Sequence, residues 1–230
     1  MKAQEIKQIL DAHLVAGHHA QSDYFAALKL LVAARGKETD AAGKQPWQDA
    51  IDGVYTLVDD ELRSNQGLPR QAIKFGTSGW RGTLGKDIFV RSVAVVTAAI
   101  LTLYREAEQD PALLAALGIA SFAEMQERGC VVGFDNRFGG PLLALAAVNV
   151  LNANGVKVYY AGESTTGALS ASVLIRKAAF SINLTPSHNP MEYGGFKYNA
   201  ADAGPAAPIL TDAITRLATA YIANDTVPLI

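Results

Sequence analysis

One cysteine, Cys130, leaves the chain without an intramolecular disulfide or a thiolate zinc cluster. It lies in the apolar run Cys130-Val131-Val132, where a buried thiol acts as a small hydrophobe. Charge of one sign is lacking too. Twenty basic residues face twenty-two acidic ones, a net charge of −2, so bulk charge draws the protein neither to nucleic acid nor to an anionic membrane. Any phosphate it binds must be held by a shaped site. Long apolar runs are also missing. The longest, Val93 to Tyr104, is interrupted by Thr97 and Thr102 and falls short of the ~20 residues a membrane span needs. The opening Met1-Lys2-Ala3-Gln4-Glu5 has no charged segment leading into an apolar one, so no signal peptide is expected. With no internal repeat and no low-complexity tract, the sequence predicts a cytoplasmic globular protein.

What is present divides into two textures. Residues 1–71 read as a helical N-terminal extension. Ile6, Ile9, Leu10 and Leu14 recur at helical spacing before a stop at Gly17, and Ser22-Asp23 caps a second helix ending near Gly36. After a polar, turn-rich stretch a third helix is predicted from Pro46, with Ile51, Val54, Tyr55, Val58 and Leu62 as its stripe. From residue 72 to 230 strands alternate with helices. Strands are predicted at Ala72 to Phe75, Cys130 to Phe134, Val156 to Tyr160, Ala179 to Leu184 and Gly195 to Tyr198. Helices are predicted over Val90 to Glu108, within 109–128, and over Pro141 to Asn152, Gly167 to Lys177 and Pro208 to Ala223. That rhythm predicts an α/β fold, a mainly parallel sheet with helices on both faces. Such sheets place their sites in loops at the carboxyl ends of strands.

Three loops stand there. Gly76-Thr77-Ser78-Gly79-Trp80-Arg81-Gly82-Thr83-Leu84-Gly85-Lys86 is rich in glycine and carries an arginine, the composition of a phosphate cradle. It is neither a P-loop nor a Rossmann fingerprint, because its glycines are spaced differently; an ordinary strand-to-helix turn reads equally well. In Gly133-Phe134-Asp135-Asn136-Arg137-Phe138-Gly139-Gly140-Pro141, Asp135 and Arg137 suit a local ion pair or a brace on a neighbouring loop, and a structural role is favoured. The third loop, Thr185-Pro186-Ser187-His188-Asn189-Pro190, sets Ser-His-Asn between two prolines that stiffen it. His188 offers a base near neutral pH, and Lys197 a positive charge that can return to the serine. A stiff surface turn with an incidental histidine is the alternative. A serine-hydrolase elbow is discounted, since Thr185 and Asn189 occupy the places of its glycines.

Taken in order, GTSGxRG, GxDxR and T(A/P)SHNP with a lysine ten residues beyond its serine, the three motifs resemble the α-D-phosphohexomutase family. The stretch Gly194-Gly195-Phe196-Lys197-Tyr198-Asn199 followed by Gly204-Pro205-Ala206 looks most like its bacterial phosphoglucomutase branch. The resemblance covers about residues 73–223, which corresponds to the first of the family's four domains. It implies that Ser187 is the phosphoserine, and that Mg²⁺ binds through the Ser187 phosphate with further ligands from another domain. It also implies that His188, Lys197 and Arg81 share the acid–base and charge-stabilising work, with glucose 1,6-bisphosphate as the activating intermediate. The expected substrate is a hexose phosphate, glucose 1-phosphate and glucose 6-phosphate first. Phosphomannomutase or another phosphohexomutase specificity, and a non-catalytic binding module of the same fold, are the alternatives. The family's DGDxDR, GExSGH and RxSGTE loops are not in this sequence. The chain is therefore expected to be an N-terminal fragment, inactive by itself, whose partners are the missing C-terminal domains.

Overall fold

A computed structural model describes residues 2–76 and 79–224. Thr77 and Ser78 of the first glycine-rich loop lie outside the described residues. The chain divides into two compact units, Met1–Asn65 and Gln66–Ile230.

The first unit is helical: α1 (Lys2–His13), α2 (Tyr24–Gly36) and α3 (Ala41–Ser64). The Asp23 side chain caps α2 by accepting the N–H of Ala26 at 3.0 Å. Asp40 does the same for α3 through Gly43 at 2.6 Å. That second cap corrects the predicted start at Pro46, because α3 begins five residues earlier and Pro46 sits inside it. Asp40 fixes the first turn, and the helix absorbs the N–H that proline lacks. Trp47, Ile51, Val54, Val58 and Leu62 bury one stripe of α3, and α2 packs along that helix.

The second unit holds β1 (Trp80–Thr83), α4 (Val90–Glu106), α5 (Pro111–Leu117), α6 (Phe122–Arg128), β2 (Cys130–Phe134), α7 (Gly140–Ala153), β3 (Val158–Glu163), α8 (Thr166–Arg176), β4 (Phe180–Leu184), β5 (Tyr193–Asn199) and α9 (Pro208–Ala223). Its sheet runs β1-β5-β4-β2-β3. Strands β3, β2 and β4 are parallel; β5 is antiparallel to β4, and β1 antiparallel to β5. Four strands thus share one direction and β5 opposes them.

Helices cover both faces. On one, Val131 packs against Leu169 and Val173 of α8. On the other, which carries Cys130 and Phe180, the Tyr104 ring of α4 lies 5.2 Å from that of Phe180, and its hydroxyl is 2.8 Å from that of Tyr198. Helices α7 and α9 flank α4 there. No helix among the described residues is long and apolar enough to cross a membrane.

The strand predicted over Ala72 to Phe75 is not formed. Ile73 and Phe75 are buried, but the Phe75 N–H donates to Thr215 Oγ1 at 3.1 Å instead of joining the sheet. The place beside β5 belongs to Trp80–Thr83, inside the glycine-rich stretch itself. The strand predicted from Val156 is also displaced, beginning at Val158 and running to Glu163.

Candidate functional site

The site forms where the ends of β2 and β4 meet the β5–β1 hairpin-like edge. Beyond β4 the chain turns at Thr185, and beyond β2 at Asp135. These two residues join the loops, for Thr185 Oγ1 donates to Asp135 Oδ2 at 2.6 Å. The Ser187 N–H in turn donates to Thr185 Oγ1 at 3.1 Å.

Arg137 closes the arrangement from the other side. Its Nε lies 3.4 Å from Asp135 Oδ2. Its Nη1 donates to the carbonyls of Pro190 at 2.6 Å and Tyr193 at 3.4 Å, and its Nη2 to those of Ser187 at 3.3 Å and Asn189. One guanidinium therefore staples four backbone carbonyls of one loop, a task suited to its planar fork of donors. Both readings of the second loop, ion pair and brace, hold at once.

Ser187 itself is exposed and has φ +63°, a left-handed backbone unusual for a residue with a Cβ. Such strain persists only where the surroundings impose it, and it concentrates at functional sites. The flanking prolines do not require it. His188 is exposed beside it and makes no hydrogen bond to the described residues.

The cations come from the β1–β5 edge. Arg81 stands opposite Gly195, and Lys197 lies two residues along β5 on the same face. Glycine permits the crowding here. A Cβ on Gly195 would sit 2.4 Å from the Thr185 carbonyl oxygen and 2.8 Å from Pro186 Cα, so the serine loop lies directly against β5 beside Arg81. A Cβ on Gly79, which has φ +93°, would sit 2.4 Å from the Phe196 carbonyl oxygen and 3.1 Å from Lys197 Cγ.

Burial, and next the Arg81 charge, push the Lys197 ammonium below its ordinary pKa, while Asp135 pulls it back up. Arg81 Nε is buried with no hydrogen-bond partner. Two adjacent cations, one with an unfilled donor, form a poor structural pair and a good anion seat.

The structure thus brings Arg81 and Lys197 together, with Asp135 close enough to influence Lys197, and lays the Ser187 loop alongside. Strand β5 separates β1 from β4, and the glycine-rich segment reaches the site as the edge strand. Thr185 was not singled out, although a hydroxyl residue ending an apolar strand is a visible signal. Nor was Asn183, whose Nδ2 donates to Thr166 Oγ1 at 2.9 Å and whose Oδ1 is buried without a partner.

A family model for the phosphoglucomutase/phosphomannomutase α/β/α domain I matches residues 104–225. The chain belongs to that family. The matched span holds Asp135, Arg137, Ser187, His188 and Lys197; Arg81 precedes it. A phosphoglucomutase from Komagataeibacter xylinus is 27% identical over 194 residues, covering 80% of this chain and 32% of that protein. A phosphoglucosamine mutase from Salinispora arenicola is 34% identical over 128 residues, 55% of this chain and 25% of that one. Among solved structures, a candidate phosphomannomutase from Thermus thermophilus superposes with a TM-score of 0.52 at 30% identity, covering 64% of this chain and 30% of its own. The chain spans about a third or less of the length of these curated relatives.

Proposed function

We propose that residues 72–230 are the phosphoserine-bearing domain I of a phosphohexomutase, preceded by a helical extension, and that the enzyme interconverts glucose 1-phosphate and glucose 6-phosphate. The observation that carries this reading is the buried, unpartnered Arg81 Nε beside Lys197, set against a serine loop held in a strained backbone. In the forward step the P–Oγ bond of phosphorylated Ser187 breaks as a sugar hydroxyl oxygen bonds to phosphorus. The hydroxyl proton passes to a base, for which His188 and Lys197 are the candidates; lowering the Lys197 pKa suits it to proton exchange. Arg81 and protonated Lys197 balance the charge on the phosphoryl oxygens. Glucose 1,6-bisphosphate then returns its other phosphoryl group to Ser187. Relatives of this region are named phosphoglucomutase and phosphoglucosamine mutase, and phosphomannomutase activity is the second reading.

Mg²⁺ would supply Lewis-acid charge at the phosphoserine. Among the described residues no group of three His, Cys, Asp or Glu side chains gathers to hold a metal ion. Asp135 is engaged by Thr185 and Arg137. The described residues thus offer the metal one ligand, a phosphate oxygen on Ser187, and do not form its site.

The test is phosphopeptide mapping of the protein isolated from its own cells. Phosphate is expected on Ser187 alone, with Ser187→Ala cutting turnover by orders of magnitude. Phosphate on Ser78, or on no residue, overturns the assignment. A binding module without turnover would keep phosphate affinity at Arg81 and Lys197 yet carry no phosphoserine.

A further inference from the structure

Three hydrogen bonds and one ion pair link Asp135, Thr185, Ser187 and Arg137 into a ring that includes the Ser187 backbone. Asp135 accepts from Thr185, Thr185 accepts the Ser187 N–H, the Ser187 carbonyl accepts from Arg137, and Arg137 pairs with Asp135. Ser187 is thus gripped through both its N–H and its C=O, and the torsion between them, φ +63°, is the strained one. No member of the ring is hydrogen-bonded to the Ser187 hydroxyl, which stays exposed. A ring that served only to fold the loop would not need a left-handed serine; the prolines already fix their own φ and restrict Thr185 and Asn189.

We infer that Asp135, Thr185 and Arg137 are positioning residues that hold the Ser187 hydroxyl at one fixed direction from the sheet, ready to take and give a phosphoryl group; this rests on the phosphoserine reading. Thr185 is the hinge of the device, because its single hydroxyl both donates to Asp135 and accepts from Ser187. Arg137 holds the return half of the loop, and a lysine there would reach fewer carbonyls with a single point of charge.

The test uses the full unphosphorylated chain. Amide hydrogen exchange at Ser187, Asn189 and Tyr193 is followed by NMR beside the core amides of Val131 and Ile182, with thermal melting as a check on folding. Thr185→Val should speed exchange at Ser187 about three- to tenfold, the worth of one net hydrogen bond, and leave the core amides alone. Thr185→Ser, which restores the hydroxyl, should return the rate to within about twofold of the parent. Arg137→Lys should speed exchange at Asn189 and Tyr193. In protein isolated from cells, phosphate occupancy at Ser187 should fall in Thr185→Val and recover in Thr185→Ser, a readout that loop packing alone would not move. The inference is overturned if a folded Thr185→Val variant exchanges Ser187 at the parent rate, or carries parental phosphate. Should Thr185→Val not fold, unchanged loop exchange in Arg137→Lys overturns it instead. If no variant, nor the parent, carries phosphate, the mutase reading fails while the exchange data still decide the ring.

Discussion

Lys197 stands in an unfavourable balance that a pH titration can expose. Burial and the neighbouring Arg81 lower its pKa below the ordinary 10.5, and Asp135 recovers only part. The folded protein therefore holds the Lys197 proton less tightly than the unfolded chain does. Below the folded pKa that difference is a full cost to stability; it shrinks as pH rises through the interval up to 10.5 and is gone above it. Lys197→Met should then raise Tm at pH 7, by a modest ~2 °C because the side chain is only half-buried. The gain should fade as the melt is repeated toward pH 10.5. A gain that does not change with pH would mean that packing, not charge, is responsible. Arg81, Ser187, His188 and Lys197 are candidates that the sequence names because their motifs are local strings. Those strings do not show the left-handed φ of Ser187: it is imposed through Arg137 and Asp135, about fifty residues away, and no local rule for Pro-Ser-His contains it.

At the scale of elements, glycine is what misled and what explains. Gly76 to Gly85 reads as loop, since glycine weakens strands, whereas Ile73-Lys74-Phe75 reads as the strand. The pairing partner decides otherwise. The Phe196–Lys197 stretch of β5 can be approached closely only by a segment that is free of a side chain at Gly79. Gly79→Ala should therefore cost about 2–3 kcal/mol, combining a positive φ with a Cβ placed against a carbonyl oxygen. Urea unfolding should show the midpoint falling with the slope unchanged. The matched control is Gly167→Ala in α8, where a Cβ meets nothing within 4 Å and stability should hold or rise by up to ~1 kcal/mol. Equal effects at the two positions would deny Gly79 its part in seating β1. The helix Pro208–Ala223, which opens on a proline in its first turn, is readable to the residue; α3 is not, because the Asp40 cap outweighs the proline that seems to begin it.

Across the whole molecule, the alternation of strands and helices was enough to predict the α/β layers, but not the reversal of β5. That reversal is what returns Lys197 beside Arg81 and turns two distant motifs into one cationic seat. The seat is nevertheless only part of what phosphoryl exchange on a sugar bisphosphate demands. The substrate must be held at both ends, and must turn over between two transfers, while positive charge surrounds the moving group. The described residues offer an exposed serine hydroxyl, two cations and a histidine, with no gathered metal ligands, and the matched relatives are about three or more times as long as the aligned region. The purified 230-residue chain should therefore melt cooperatively, since each unit has its own buried core, yet convert no glucose 1-phosphate to glucose 6-phosphate in a coupled assay with Mg²⁺ and glucose 1,6-bisphosphate. Inorganic phosphate should still shift the NMR signals of Arg81 and Lys197, and Arg81→Met should abolish that shift. Turnover by the chain alone, in a preparation whose Ser187→Ala variant is silent, would show that these residues suffice and that the rest of the relatives' length is dispensable for the chemistry.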